Sequence, residues 1–477
     1  MKIFNVTGNL TAPALYDSCL NRWWSYEELA SATTRLAKAL SFPRKALVFC
    51  FCQNNPSSVA WYLAAAEAGH AVALLSADLA PDFRTRLVST YKPDFLLAAR
   101  QMDFDNSLGG RAEYVPLTGV AVGNYGWQRE AEYQHVVDPD LAVLLSTSGS
   151  TGSPKFVRLS RKNVESNAQS ICEALDITPI SRSISSLPFH YSYGLSVLNT
   201  YLRMGASLVM TDEALTSLKF WDVFRDMRCS SFAGVPYSYQ ILQRLDVERF
   251  DVPGMNVMTQ AGGKLQNDLI AHFHKIMAAR NGQFFVMYGQ TEATARISVL
   301  PPRFLPEKLG SVGLAIPGGS LAVEIAGTLT KEANQSGELV YSGPNVMMGY
   351  ATGPEDISLG DLLDGTLHTG DLGHFDNEGF TYIEGRMKRD AKIFGVRVSL
   401  DEVEDLLRVY GPTAVVSAKE KLLIFCEYGD AEEFGRIRQE LATKLMLHHS
   451  AFHLVRLEQI PRTASGKIDY PQLVSKT

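Results

Sequence analysis

A short apolar strand that stops abruptly in a hydroxyl- and glycine-rich loop limits this chain more than any other feature. Leu141, Ala142, Val143, Leu144 and Leu145 make a run too short for a helix and too apolar for a surface, which reads as a buried strand. Ser146, Thr147, Ser148, Gly149, Ser150, Thr151, Gly152, Ser153, Pro154 and Lys155 follow it. Glycines let backbone N–H groups in such a loop converge on an anion. The hydroxyls add donors and Lys155 a cation, a combination suited to a triphosphate tail. Alone, the same residues also describe a Ser/Gly-rich surface turn. A Walker-type P-loop is disfavoured, because Gly-Lys-Ser/Thr would have to open a helix. Here Pro154 separates Gly152 from Lys155, and Phe156 to Leu159 continue as a strand.

The surrounding pattern is layered. Ser25 and Glu28 form a capping box ahead of Leu29, Leu36 and Leu40 on one helical stripe. A strand-like run at 46–52, a helical pattern through Trp61 and Leu63, and a second run at 71–75 then read as βαβ units with a largely parallel sheet. A chain of 477 residues exceeds what one core sustains. The strand-like runs 380–383 and 393–398 flank Gly385, Arg386, Met387, Lys388, Arg389 and Asp390. Beyond them Ser399 and Glu402 form a second capping box, with Val403, Leu406 and Leu407 facing inward. The expected fold is therefore α/β: a large N-terminal domain over residues 1–385 with layered sheets, a hinge at 386–390, and a small α+β domain over 391–477.

Composition removes several function classes. A formal net charge of -6 argues against a duplex nucleic-acid partner. The longest apolar stretch, 59–75, is interrupted by Glu67, Gly69 and His70, so no membrane span is expected. Residues 1–5 lead into polar sequence without the apolar core of a secretory signal, which predicts a cytoplasmic protein. Cys50 and Cys52 alternate onto one face of a buried strand. Cys19, Cys172, Cys229 and Cys426 have no paired spacing, so neither a disulfide framework nor a metal is assigned to any of them.

Four further segments follow the loop in order: Tyr288-Gly289-Gln290-Thr291-Glu292, His368-Thr369-Gly370-Asp371, Gly385-Arg386, and Pro461-Arg462-Thr463-Ala464-Ser465-Gly466-Lys467. Together with the loop they resemble the motifs of the adenylate-forming superfamily of acyl-CoA synthetases, adenylation domains and luciferases. The resemblance implies attack of a carboxylate on the α-phosphorus of ATP, which brings two anions together and demands cations and oriented dipoles. It implies that Glu292 holds Mg²⁺ on the phosphates and that the Thr291 hydroxyl contacts the α-phosphate. Tyr288, Gly289 and Gln290 would lie along AMP, with Asp371 and Arg386 at the ribose and Lys467 bridging the acid oxygen and the α-phosphate as the principal catalytic residue. Lys388 matches the family hinge, and the mobile small domain would then bring Lys392 and Gly395 to the acyl acceptor. The basic set Arg386, Lys388, Arg389, Lys392 and Arg397 reads equally as a solvated face or as a dock for coenzyme A phosphates.

The acid pocket, by the same resemblance, draws on His190, Tyr191, Tyr193, Phe232, Val235, Ala261 and Gly262. No acidic residue stands in the segment 187–194, where α-amino-acid adenylation domains usually carry an aspartate, and Gln290 replaces a common proline. A small carboxylic acid without an α-ammonium group is expected, short or aromatic rather than a long fatty chain. The acceptor is expected to be coenzyme A. A carrier-protein phosphopantetheine arm is the alternative, ahead of an amine acceptor or activation of a small inorganic acid such as nitrite. Two residues depart from the family pattern: Phe156 stands where glycine is usual, and Lys264, after Ala261-Gly262-Gly263, is either exposed or turned to a polar group on the substrate.

Overall fold

Six consecutive buried residues, Leu47–Cys52, form a strand with no solvent face. Alternation sends Val48, Cys50 and Cys52 into one apolar core with Leu36 and Trp61 from the helices Tyr26–Ala39 and Pro56–Glu67. Leu47, Phe49 and Phe51 enter another core on the opposite face. Burial on both faces is why this strand reads as an unbroken apolar run. The two thiols share a face as expected, with Sγ atoms 3.7 Å apart. The capping box forms as well: the Glu28 amide donates to Ser25 Oγ at 3.1 Å and the Ser25 amide to Glu28 Oε2 at 2.8 Å.

The computed structural model describes residues 9–102, 114–118, 120, 124–130, 136–146, 155–246, 250–386, 390–393, 396–445, 447–463 and 466–475. These divide into two compact units. The first holds two large sheets. One has eight strands, with Leu47–Cys52 between parallel Ala71–Ser76 and Phe95–Ala98, and Leu141–Ser146 parallel to Ala71–Ser76. Beyond Leu141–Ser146 the strands Phe156–Ser160 and Gly349–Ala351 add antiparallel. Phe156 is buried against the rings of Phe49 and Tyr91, at 6.0 and 5.1 Å, so the departure from glycine fills a core.

Arg158, on the same strand and fully buried, donates to the carbonyls of Met348, Tyr350, Leu359 and Gly360. It thereby pins the returning segment 341–367 to this sheet. The second, nine-stranded sheet has a parallel centre of Ser207–Met210, Arg182–Ile184, Ser231–Gly234, Val257–Gln260 and Gln283–Tyr288. Its loops at the carboxyl ends are where α/β sheets bind ligands.

The second unit contains residues 321–340 and the described residues from 368 to 475. It has a five-stranded sheet that includes Thr366–Phe375 and Thr381–Arg386, and a three-stranded sheet of Thr413–Ala418, Lys421–Cys426 and Phe452–Arg456. The helix Leu400–Leu407 starts after Ser399 as expected, with Val403 and Leu407 buried, while the Glu402 side chain lies outside the described residues. The run 393–398, read above as one strand, instead straddles an antiparallel pair, Asp390–Ile393 and Val396–Ser399. No described helix is long and apolar enough to cross a membrane.

Candidate active site

The strand Gln283–Tyr288 ends in the sharpest constraint of the first unit. A Cβ on Gly289 would lie 1.7 Å from the Ala295 carbonyl oxygen, so only glycine lets the chain fold back on itself here. The turn then forms a single 3-10 turn, Thr291–Ala293, followed by Thr294 at φ 64°. A β-branched residue in the left-handed region is strained and persists only where its surroundings over-determine it. Asn345 does so: its Nδ2 donates to the carbonyls of Ala293 and Arg296, each at 2.9 Å, and its own carbonyl accepts from Thr294 Oγ1 at 2.7 Å.

This rigid turn presents Thr291 and Glu292. Thr291 Oγ1 lies 3.0 Å from Ser192 Oγ, at the first residue of the helix Ser192–Arg203. Glu292 Oε1 accepts from the Tyr350 hydroxyl at 2.8 Å. Lys155 Nζ sits 3.3 Å from the centroid of that same tyrosine ring, a cation–π contact. The loop cation and the candidate magnesium ligand thus meet on two sides of one side chain. Among the described residues Tyr350 is the sole partner of the Glu292 carboxylate, which leaves its second oxygen for a hard cation. Of the loop itself, Ser146 is described and exposed, whereas Thr147, Ser148, Gly149, Ser150, Thr151 and Gly152 lie outside the described residues.

The acid-pocket candidates come together in part. Tyr191, Tyr193, Val235 and Ala261 join Ala233 and Met287 in one apolar cluster, and Gly262 follows Ala261 in the chain. Phe232 packs its ring against Phe220, Trp221 and Tyr239 outside that cluster, yet it borders the same cavity as Tyr193, Ala233 and Met287. Burial draws the His190 imidazole down to about 4, so the ring is neutral at neutral pH. Burial also pushes the phenols of Tyr191 and Tyr193 up to about 12. Lys264 is exposed.

In the second unit Asp371 and Arg386 face each other across neighbouring strands, and Arg386 Nε donates to Asp371 Oδ1 at 2.8 Å. Asp371 is buried and Arg386 about half exposed. Lys467 occupies a small turn in which its carbonyl accepts from the Thr463 amide at 2.8 Å. Lys392 lies on Asp390–Ile393 with its side chain outside the described residues, as are Lys388 and Gly395 altogether. Glu324, Glu338 and His368 also bring three possible ligand atoms within 4.8 Å of one another. Glu338, however, already accepts from the Gly370 amide, which fixes the turn before Asp371.

Residues 5–351 match the family described as AMP-binding enzyme. The chain belongs to this family. Among curated AMP-binding relatives, the indoleacetate–CoA ligase of Aromatoleum aromaticum is 26% identical over 486 residues, covering 95% of this chain and 93% of that protein. The long-chain-fatty-acid–CoA ligase of Bacillus subtilis is 31% identical over 359 residues, 70% of this chain and 61% of that one. The luciferin 4-monooxygenase of Luciola mingrelica is 28% identical over 355 residues, 70% and 62% respectively, so the chain spans less than two thirds of the length of these last two relatives.

The o-succinylbenzoate–CoA synthetase of Bacillus subtilis, solved with its acyl-adenylate intermediate, superposes with a TM-score of 0.75 at 24% identity, over 98% of this chain and 96% of that one. ATP-bound MatB of Rhodopseudomonas palustris gives 0.76 at 21% identity, over 99% and 97%. The AMP-binding family and its α/β fold are as the motifs implied. Tyr350, Asn345 and Ser192 are the members of this site that the sequence did not disclose. Each reaches the Thr291–Ala293 turn from a segment some fifty to a hundred residues away, and no local pattern marks such a contact.

Proposed function

We propose that this chain activates a carboxylic acid with ATP, forming an acyl-adenylate and releasing pyrophosphate, and then transfers the acyl group to the thiol of coenzyme A. The observation that carries this reading is the convergence of Lys155 and Glu292 on Tyr350 beside a strained turn. A cation for phosphate and an anionic oxygen for a divalent metal are fixed there, next to the Thr291 hydroxyl. The full-length likeness to a CoA ligase supports the choice of acceptor.

In the first step a carboxylate oxygen bonds to the α-phosphorus as the bond to the β-phosphate oxygen breaks. In the second the thiol sulfur bonds to the acyl carbon and AMP departs, the thiol proton passing to solvent. Magnesium at Glu292 would offset phosphate charge. Lys155 holds the phosphate tail, Thr291 orients the α-phosphate, Asp371 and Arg386 hold the ribose, and Lys467 steadies the charge that develops between acid and phosphorus. Neutral His190 and the Tyr191–Ala261 cluster receive an acid without an ammonium group. A cytoplasmic setting belongs to the same proposal and fits six free cysteines.

ATP–pyrophosphate exchange across a panel of carboxylic acids tests the first step, and thioester formation with coenzyme A or a phosphopantetheinylated carrier protein tests the second. Exchange with at least one acid, dependent on magnesium, is expected, and Glu292→Gln raises the magnesium needed for half-maximal rate by about tenfold or more, since an amide offers only a dipole to a hard cation. No exchange with any acid would overturn the reading, and an unchanged magnesium requirement would remove Glu292 as the ligand.

A further inference from the structure

Arg296 is a buried cation that no described residue neutralises. It is 2% exposed, and its Nε has no hydrogen-bond partner. No described residue accepts a hydrogen bond from the guanidinium or forms an ion pair with it; its neighbour is the face of Tyr193, 4.8 Å from Cζ to the ring centroid. Burial works against its charge, and the nearby phenols of Tyr193 and Tyr191 are the groups that favour it. A buried arginine left without a counter-ion is costly, and proteins ordinarily pair it or line it with carbonyls. Arg158 in this same unit shows that solution, with four backbone carbonyls around its guanidinium.

The side chain borders a cavity of about 380 Å³, within the size range of small-molecule sites. Tyr193, Thr200, Ser231, Thr259 and Met287 line it with Arg296, so its walls are part apolar and part hydroxyl. The carboxylate among its described lining residues, Asp176, is exposed at the end of the helix Arg161–Leu175 and makes no ion pair with Arg296. Two residues of its wall, Arg296 and Tyr193, also stand next to the Thr291–Ala293 turn in the chain or in space. A Cβ on Gly289 would lie 3.0 Å from the Arg296 Cα, and Tyr193 follows Ser192, whose hydroxyl touches Thr291. The backbone of Arg296 is held in place, its carbonyl accepting from Asn167 at 3.1 Å and Asn345 at 2.9 Å. The backbone of Arg296 is thus fixed beside the turn while its side chain borders the cavity.

We propose that the acid activated here is a dianion, whose second carboxylate, remote from the reacting one, enters this cavity and pairs with Arg296. This rests on the adenylation reading above and adds the substrate class. A planar guanidinium offers two parallel donors to a carboxylate, and a site built around such a pair rejects an analogue that lacks it.

The test compares α,ω-dicarboxylic acids from succinate to sebacate, and the phenylene dicarboxylates, each with its monoamide. Pyrophosphate exchange is measured in the wild type and in Arg296→Met, and calorimetric binding of the same pairs is measured without ATP. The expected result is a kcat/KM ratio of dicarboxylate to monoamide of about a hundred or more in the wild type, falling to near one in Arg296→Met and expressed chiefly in KM. A wild-type ratio near one, or a ratio unchanged by the substitution, would overturn the proposal. If Arg296→Met does not fold, Arg296→Gln decides by the same ratio. If no acid supports exchange, the adenylation reading falls by itself: dicarboxylate binding that requires Arg296 would still uphold the anion site, and no such binding would remove it too.

Discussion

We propose that Lys467 is the residue on which the chemistry leans most. The Thr463 amide and hydroxyl both donate to the Lys467 carbonyl and Arg462 donates to that of Gly466, so these bonds end on main-chain oxygens that alanine at Lys467 would keep. Lys467→Ala is therefore expected to lower pyrophosphate exchange by about a hundredfold or more, through loss of an oriented charge, while the unfolding midpoint stays nearly unchanged. Wild-type exchange in a folded variant would withdraw the role. His190 gives a prediction in pH. Its folded value near 4 lies below the ordinary 6.5, so between the two the unfolded chain binds a proton that the folded chain refuses. Stability therefore rises with pH across that window, and His190 removes at most about 3 kcal/mol as pH falls through it. His190→Asn should flatten the pH dependence of the urea midpoint between pH 4 and 6.5. An unaltered slope would show that the imidazole is protonated normally.

The helix Ser192–Arg203 shows how an element is fixed by one position. Alanine at Gly194 would gain about 1 kcal/mol in helix propensity. Its Cβ, however, would stand 2.2 Å from the Pro188 carbonyl oxygen, a backbone atom of the turn that carries His190. The clash outweighs the gain, so Gly194→Ala should destabilise the chain by about 2 kcal/mol in urea unfolding and reduce exchange as Ser192 and Tyr193 shift. A stabilised variant would mean that the turn yields freely.

Elements of this kind differ in how plainly the sequence announces them. The Ser25–Glu28 box and the alternation along Leu47–Cys52 are local rules, and both are met. Which core each residue of Ser231–Gly234 enters is not a local property: Phe232 packs with Phe220, Trp221 and Tyr239, and Ala233 with the Tyr193 cluster, although both border one cavity. The run 393–398 reads as one strand because an apolar run does not record where it reverses, and it straddles the pair Asp390–Ile393 and Val396–Ser399. The motifs mark the Thr291–Ala293 turn, but Tyr350 and Asn345 reach it through tertiary packing alone.

At the scale of the molecule, the expected boundary at 386–390 falls within the second unit, which gathers 321–340 and 368–386 with the C-terminal residues. We propose that Lys388 nonetheless acts as the pivot, because one unit carries both Lys467, assigned to adenylation, and Lys392, assigned to transfer, on separate elements. Lys388→Pro fixes φ near about -65° and removes a donor. It should spare pyrophosphate exchange and lower thioester formation by about tenfold or more. Equal loss of both half-reactions, or of neither, would defeat the pivot. The first unit, meanwhile, is not a contiguous stretch of chain. The carbonyls that receive Arg158 belong to residues 348–360, roughly 190 to 200 positions later. At a synthesis rate of about 5–20 residues per second, a nascent chain on the ribosome would hold that guanidinium without its acceptors, and Phe156–Ser160 as an uncovered sheet edge, for on the order of 10–40 s. The part of this protein made first is thus among the last to be finished, and its vulnerability to mispairing is set by the clock of translation rather than by the stability of the final fold.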